Sequence, residues 1–297
     1  MLDKQIKPTV IALGYFDSVH LGHQKVILKA EEIANTRNLS LVVFTFSGNL
    51  KGVIDGDDKC VFLSHERQKF LTSLGADEIY FAEPTKEFLS TDRKDFLDDL
   101  NKKYNISHYV SGEDYSFGAF GKGDAKYLTE YAKNNKQEHI IVETLLVKKQ
   151  KISTTLVKSL LENGNIKGAN TLLGRNYSIT GKVIKDRQVG TKLGFPTANI
   201  ILDKDKFCLR DGVYAGKVVL ENKEYYAIIN YGARPTFDLE QKLLEVHIID
   251  FCGDLYNKEI EVLFLDFIRD IKKFDSIDDL KAQLKADLTA TKEGKYD

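Results

Sequence analysis

The apolar residues change period once along this chain, near residue 150, and that change fixes the architecture. From residue 7 to 147, short apolar runs alternate with amphipathic stretches of helical spacing. The runs predict strands at 9–13, 39–46, 78–81, 108–111 and 139–147, with helices at 21–36, 64–74, 92–104 and 124–134 between them. Strand-helix alternation of this kind calls for a parallel sheet with helices on both faces. A helical pair follows at 153–162 and 166–173, broken at Asn163-Gly164. From residue 174 the period is two, with strands expected at 178–184, 198–202, 213–220, 224–229, 243–251 and 259–264, two of them joined tightly through Glu221, Asn222 and Lys223. Six closely spaced antiparallel strands close most economically as a small barrel. The tail, 276–291, reads as an amphipathic helix capped by Ser276, with Leu280, Leu284 and Leu288 on one stripe. The expected organisation is an α/β domain over 1–150, a helical connector over 151–173 and an antiparallel barrel domain over 174–297.

Composition removes several function classes. A formal net charge of −1 over 297 residues argues against electrostatic attraction to nucleic acid or membrane. Cys60, Cys208 and Cys252 are scattered and unpaired in spacing, which suits a reducing compartment and not a disulfide framework or a zinc site. The start of the chain is polar and charged, unlike a signal peptide, and runs such as 41–46 are strand-sized. A soluble cytoplasmic protein is expected.

Two segments carry chemistry. In Gly194-Phe-Pro-Thr-Ala-Asn-Ile200, Thr197 and Asn199 are two apart and share one face of an extended strand. Their hydroxyl and amide oxygens are hard ligands of the kind Mg²⁺ takes beside nucleotide phosphates. Pro196 stiffens the backbone before them, and Gly194 permits close approach of a ligand. The competing reading is a turn entering an ordinary strand. The second segment, Gly14-Tyr-Phe-Asp-Ser-Val-His-Leu-Gly-His23, follows the first strand and opens the first helix. There a parallel sheet presents backbone N–H groups to phosphate. His20 and His23, three apart with Gly22 between them, can donate to an α-phosphate gathering charge; a metal pair or structural histidines are the other readings of the spacing.

The Gly14–His23 stretch resembles the HxGH signature of the nucleotidyltransferases, and in particular the adenylyltransferase half of the bacterial bifunctional riboflavin kinase/FAD synthetases. The Gly194–Ile200 stretch is similar to their flavokinase motif. So are Asp211-Gly-Val-Tyr-Ala215, Asn230-Tyr-Gly-Ala-Arg-Pro-Thr-Phe237, Glu245-Val-His247 and the segment from Arg269 to Asp275. The resemblance covers essentially the whole chain. It implies a Rossmann-like N-terminal domain that transfers AMP from ATP to FMN, and a C-terminal barrel that phosphorylates riboflavin with ATP and Mg²⁺. Riboflavin, FMN and ATP would be its partners. It implies Glu245 as the base for the ribityl hydroxyl, and His20 and His23 as the adenylylation pair. Gly14, Phe16, Asp17, Gly22, Asn49, Gly112, Asp114, Ser153, Thr154, Thr155 and Lys158 would contact substrate in the first half. Gly190, Gly194, Pro196 and Arg234 would do so in the second, beside the Thr197 and Asn199 metal ligands. The flavin ring would lie on an apolar wall near the C-terminal helix.

Three segments depart from the family's pattern. Thr45-Phe-Ser-Gly-Asn-Leu50 stands where the family carries T-F-x-P-H-P. Ser116 in Gly112–Gly118 replaces an arginine, with Lys122 the basic residue left nearby, and Lys158 replaces the arginine of I-S-S-T-x-x-R. A riboflavin kinase whose N-terminal half is a scaffold or flavin sensor is therefore the alternative reading.

Overall fold

The computed structural model describes residues 7–56, 59–147, 149–185, 194–221, 223–233 and 242–294. The chain forms two compact units, Met1–Thr154 and Thr155–Asp297.

The first unit is organised by strand β1 (Thr9–Leu13), whose alternate residues feed two cores. Val10 and Ala12 pack on Val26, Ile27, Ala30 and Ala34 of helix α1 (Leu21–Arg37). Ile11 and Leu13 point the other way, toward helices that follow later in the chain. After β2 (Ser40–Phe46) come two helices, a short α2 (Leu50–Asp55) and α3 (Ser64–Ser73). Strand β3 (Glu78–Ala82) leads through the single-turn α4 (Lys86–Leu89) to α5 (Arg93–Lys103). Strand β4 (Ile106–Gly112), the small hairpin of β5 (Ser116–Phe117) and β6 (Gly123–Asp124), helix α6 (Ala125–Asn134) and β7 (Glu138–Val142) complete the layers. The sheet is parallel with order β3-β2-β1-β4-β7. Its strand order reverses between β1 and β4, where α/β sheets leave a crevice at the strand carboxyl ends.

The strand expected over 139–147 stops at Val142. Leu146–Val147 forms β8 and pairs with β9 (Gln150–Lys151) in a separate hairpin. Lys149 makes the turn in a left-handed conformation, φ 65°. Periodicity could not separate the two runs because both are apolar. The helices α2 and α4 were too short to register in the pattern.

The second unit begins in α7 (Thr154–Glu162), followed by α8 (Ile166–Leu173). Asn170 fixes α8 to the strands: its Nδ2 donates to the Phe264 carbonyl at 2.9 Å and its Oδ1 accepts from the Tyr177 amide at 2.8 Å. Six antiparallel strands follow: β10 (Tyr177–Ile184), β11 (Ala198–Ile201), β12 (Gly212–Leu220), β13 (Lys223–Ala233), β14 (Lys242–Ile248) and β15 (Glu259–Arg269). They close into the expected barrel in the order β10-β11-β14-β13-β12-β15. Strands β13 and β15 outrun their predicted ends, whereas β14 ends three residues early and the chain turns at Asp250, φ 57°. Gly216 has no room for a side chain, since a Cβ there would stand 2.4 Å from the Leu263 carbonyl oxygen and 2.3 Å from Ile229.

Helix α9 (Ile277–Glu293) closes the chain, with the Ser276 hydroxyl accepting from the Asp279 amide at 3.1 Å as its cap. Leu288 joins the cluster of Val213, Ile228 and Ile249. The leucine stripe is only half-buried, however, and the fully buried residues of the helix, Asp287 and Thr291, are polar. Asp287, 1 % exposed, takes the Arg269 guanidinium at 3.0 Å (Nε) and 2.7 Å (Nη2).

Candidate functional sites

In the first unit the loop after β1 lies at the reversal of strand order. Its backbone is unusual: Phe16 and Val19 both hold left-handed conformations, φ 49° and 43°. Such φ values are costly for an aromatic and more so for a β-branched residue. Gly14 makes the loop possible, because a Cβ there would stand 2.6 Å from the Phe16 ring. Phe16 in turn supports His23 edge-on at 5.3 Å between ring centroids. His20 is the N-cap of α1, its Nδ1 accepting from the His23 amide at 3.1 Å. The two imidazoles stack at 3.6 Å. Because Nδ1 is an acceptor, neutral His20 carries its proton on Nε2 and can donate it in a hydrogen bond.

Several expected contact residues also have structural partners. Phe16 and Asp17 are buried, and Asp17 Oδ1 accepts from the Val61 amide at 2.9 Å, so both support the loop from beneath. Asn49 Oδ1 accepts from the Gly52 amide at 2.9 Å and caps α2. Gly22 is the position where a Cβ would crowd the His20 ring, at 3.1 Å.

Other expected residues do gather at the loop. Thr154, the last residue of the first unit and next to Ser153, has its Oγ1 3.0 Å from Ser18 Oγ. Gly112 ends β4 beside Asp114, whose carboxylate pairs with Lys151 at 2.7 Å. The Lys151 ammonium, and more weakly the nearby His20, hold that carboxyl below the usual carboxylate range. Thr155 and Lys158 belong to the second unit, where the Lys158 ammonium lies 5.4 Å from the Phe207 ring centroid. A cavity of about 190 Å³ in the first unit is lined by aromatic rings, among them Phe46, Phe88, Tyr115 and Phe117. Phe117 packs against Phe96 and Tyr115, while Phe120 is 93 % exposed.

In the second unit strand register assembles the site. Asn199 of β11 stands opposite Glu245 of β14, which stands opposite Asn230 of β13. Directly opposed residues share a face, so the three form a row across adjacent strands. Asn230 Nδ2 donates to Glu245 Oε2 at 2.8 Å and orients the carboxylate. Leu244, Val246 and Ile248 alternate with Glu245 and are buried, leaving the carboxylate on the other face. His247, two residues on, donates from Nδ1 to the Pro196 carbonyl at 2.9 Å and meets Phe195 edge-on at 5.3 Å. That bond holds the backbone just before Thr197 against β14. Asn199 is 7 % exposed, and its Oδ1 is buried without a hydrogen-bond partner. A buried amide oxygen left so is costly unless something else fills the position, and a hard cation fits it.

Asn230 and His247 were named only within motifs, with no role attached. Their positions opposite Glu245 and beside Pro196 emerge from strand pairing that one sequence does not state. Thr197 and Pro196 also line a cavity of about 450 Å³ with Val183, Leu255 and Tyr256. A second cavity, about 530 Å³, lies along α9 between Lys272, Lys273, Phe274, Ala282 and Ala286. Gly194 is exposed with φ 85°. Gly190 and Arg234 lie outside the described residues.

A family model described as riboflavin kinase matches residues 173–294, and one described as FAD synthetase matches residues 2–156. The bifunctional riboflavin kinase/FMN adenylyltransferase of Bacillus subtilis (strain 168) is 34 % identical over 293 residues, which span 97 % of this chain and 92 % of the relative. The protein of the same description from Escherichia coli (strain K12) is 32 % identical over 286 residues, 95 % and 91 % of the two chains. A crystal structure described as a macrolide-efflux protein from Streptococcus pneumoniae is 34 % identical, with a TM-score of 0.88 over 98 % of this chain and 97 % of that one. Among the described residues no helix is long and apolar enough to cross a membrane.

Proposed function

The chain belongs to the bifunctional riboflavin kinase/FMN adenylyltransferase family, and from that membership we propose how its two halves divide the chemistry. The enzyme phosphorylates riboflavin to FMN and adenylylates FMN to FAD, with ATP as the donor in both reactions.

In the barrel, Glu245 takes the proton of the flavin's ribityl hydroxyl as that oxygen bonds to the γ-phosphorus of ATP and ADP leaves. The Asn230 amide fixes one carboxylate oxygen, so the other lone pairs keep a defined direction. Thr197 and Asn199 would hold Mg²⁺, which when bound neutralises phosphate charge. The observation that carries this reading is the buried, unpartnered Oδ1 of Asn199 one strand away from Glu245. The cavity at Pro196, Thr197 and Tyr256 suits the nucleotide, and the cavity along α9, where Phe274 and two alanines stand among Lys272, Lys273, Asp275, Asp279 and Gln283, offers the flavin one apolar edge beside polar groups.

In the first half, an FMN phosphate oxygen attacks the α-phosphorus of ATP and pyrophosphate leaves. His20, with its proton on Nε2, and the stacked His23 donate to the phosphate as charge builds there. The aromatic cavity of Phe46, Tyr115 and Phe117 supports a flavin as the acceptor. Both reactions would proceed in the cytoplasm, where Cys60, Cys208 and Cys252 would stay reduced.

Reciprocal substitution tests the division. His20→Ala should abolish FAD formation from FMN and spare FMN formation from riboflavin, while Glu245→Ala should do the reverse. Loss of both activities in either variant, with the protein folded, would contradict it.

A further inference from the structure

Arg67 of α3 is fully buried, and among the described residues no carboxylate is in ion-pair contact with it. Its guanidinium is held by four neutral acceptors: the Tyr15 carbonyl at 3.2 Å, Thr45 Oγ1 at 3.2 Å, the Phe46 carbonyl at 2.7 Å and Ser64 Oγ at 3.3 Å. The Tyr15 and Phe81 rings lie 5.8 and 5.6 Å from its central carbon, and its Nε is buried without a partner. A buried charge with no counter-ion is expensive, and a structural arginine would ordinarily be paired or replaced by an apolar side chain of similar volume.

The placement of those acceptors suggests what the charge is for. Tyr15 and Phe46 lie at the carboxyl ends of β1 and β2, and Tyr15 immediately precedes the left-handed Phe16. Thr45 closes the same knot, donating its hydroxyl proton to the Tyr15 carbonyl at 2.5 Å while accepting from Arg67. Strained conformations such as those of Phe16 and Val19 persist only where the surroundings over-determine them. Arg67 and Thr45 grip the loop at its start, Asp17 pins its middle, and Gln24 Nε2 holds its end by donating to the Val19 carbonyl at 2.9 Å. Phe16, so fixed, is the surface on which His23 stands.

We propose that Arg67 is a positioning residue of the adenylyl-transfer site. It locks the Tyr15 carbonyl so that Phe16 carries His23, and hence its stacked partner His20, in register with the reacting phosphate. It also lends the strand carboxyl ends an uncompensated positive charge that favours anionic substrates. This rests on the reading that the His20–His23 site performs FAD synthesis.

The test uses the full-length enzyme, with riboflavin phosphorylation in the same chain as an internal control. Arg67→Met keeps the volume and removes charge and donors; Arg67→Lys keeps the charge without the planar fork. Displacement of a catalytic pair by about 1 Å costs about 100-fold in rate, so Arg67→Met should lower kcat for FAD formation about that much. KM for FMN should change far less, kinase activity should stay at the parental level, and Arg67→Lys should recover part of the loss. Should Arg67→Met fail to fold its first half, Thr45→Val decides: it removes one hydroxyl from the knot and should lower kcat for FAD formation with the kinase untouched. Parental kcat in a folded Arg67→Met, or in Thr45→Val where Met does not fold, overturns the proposal while leaving the site assignment standing. If His20→Ala also retains FAD synthesis, the site assignment itself falls and takes the proposal with it.

Discussion

The two halves of this enzyme build their sites by different means. The proposed kinase site rests on strand pairing: Asn199, Glu245 and Asn230 lie in a row because β11, β14 and β13 are hydrogen-bonded in register. The proposed adenylylation site rests on a loop that holds two non-glycine residues left-handed and relies on buried polar groups to keep it there. A site on a ladder inherits its geometry from backbone hydrogen bonds. A site on a loop needs its own supports, and substitutions remote from the chemistry should reach it more easily.

The largest effect should follow from attacking the ladder site directly. Asn199→Ala removes the buried amide oxygen, and riboflavin phosphorylation at fixed Mg²⁺ should fall about 100-fold or more, beyond the 10- to 100-fold usual for groups one shell further out. A Mg²⁺ titration should show part of the loss recovered at high concentration, with FAD formation from FMN unchanged. Equal loss of both activities would erase the contrast between the halves.

Next in size is the anchor of α9. Asp287→Ala leaves Arg269 without its carboxylate, and breaking a buried pair from one side costs about 3–5 kcal/mol. Denaturant unfolding followed by domain-specific probes should show the second unit losing that stability and the first keeping its midpoint.

A smaller effect distinguishes the halves by pH. Five of the six histidines lie in the first 150 residues, and burial pushes His139 from 6.5 down to about 4. Its ring nitrogens lie 3.0 Å from Ser111 Oγ and 2.9 Å from Thr129 Oγ1. Between those two values the unfolded chain binds a proton that the folded one excludes. The contribution of His139 to the stability of the first unit is thus complete above pH 6.5 and is lost as pH falls toward 4. His139→Gln, neutral throughout, should flatten that decline in a urea midpoint series; an unaltered slope would assign it to other groups.

The smallest is the cap of α2. Asn49→Ala should fray residues 50–55 at a cost of about 1 kcal/mol, seen as faster amide exchange. An accompanying rise in KM for FMN or ATP would return Asn49 to the substrate-contacting set.

The same contrast explains what the sequence disclosed. Glu245 could be assigned to the outer face of its strand because Leu244, Val246 and Ile248 alternate with it, and period two is visible without a partner strand. His247, two residues on, falls on the same face by the same rule, but the pairing of Asn230 with Glu245 and of His247 with Pro196 could not be read, because both depend on how separate segments pack. The barrel and the parallel sheet were legible from period and spacing, since each expresses burial repeated over many residues. Less legible was the distinction between residues that face substrate and residues that support the loop. Phe16, Asp17 and Asn49 sit in or beside the motifs, and their burial and capping contacts became visible only in the fold. Arg67 gave no signal, being one basic residue in a polar helix whose meaning lies in the carbonyls around it. In the tail helix the stripe was legible and Leu288 does pack in an apolar cluster, whereas the buried pairing of Asp287 with Arg269 gave no signal.

The most direct measurement is chromatographic separation of products formed by the purified protein with ATP and Mg²⁺, started once from riboflavin and once from FMN. The account predicts FMN followed by FAD from the first start and FAD alone from the second. FMN accumulating from riboflavin with no FAD from either start would contradict it, leaving a kinase joined to a half that does no adenylylation.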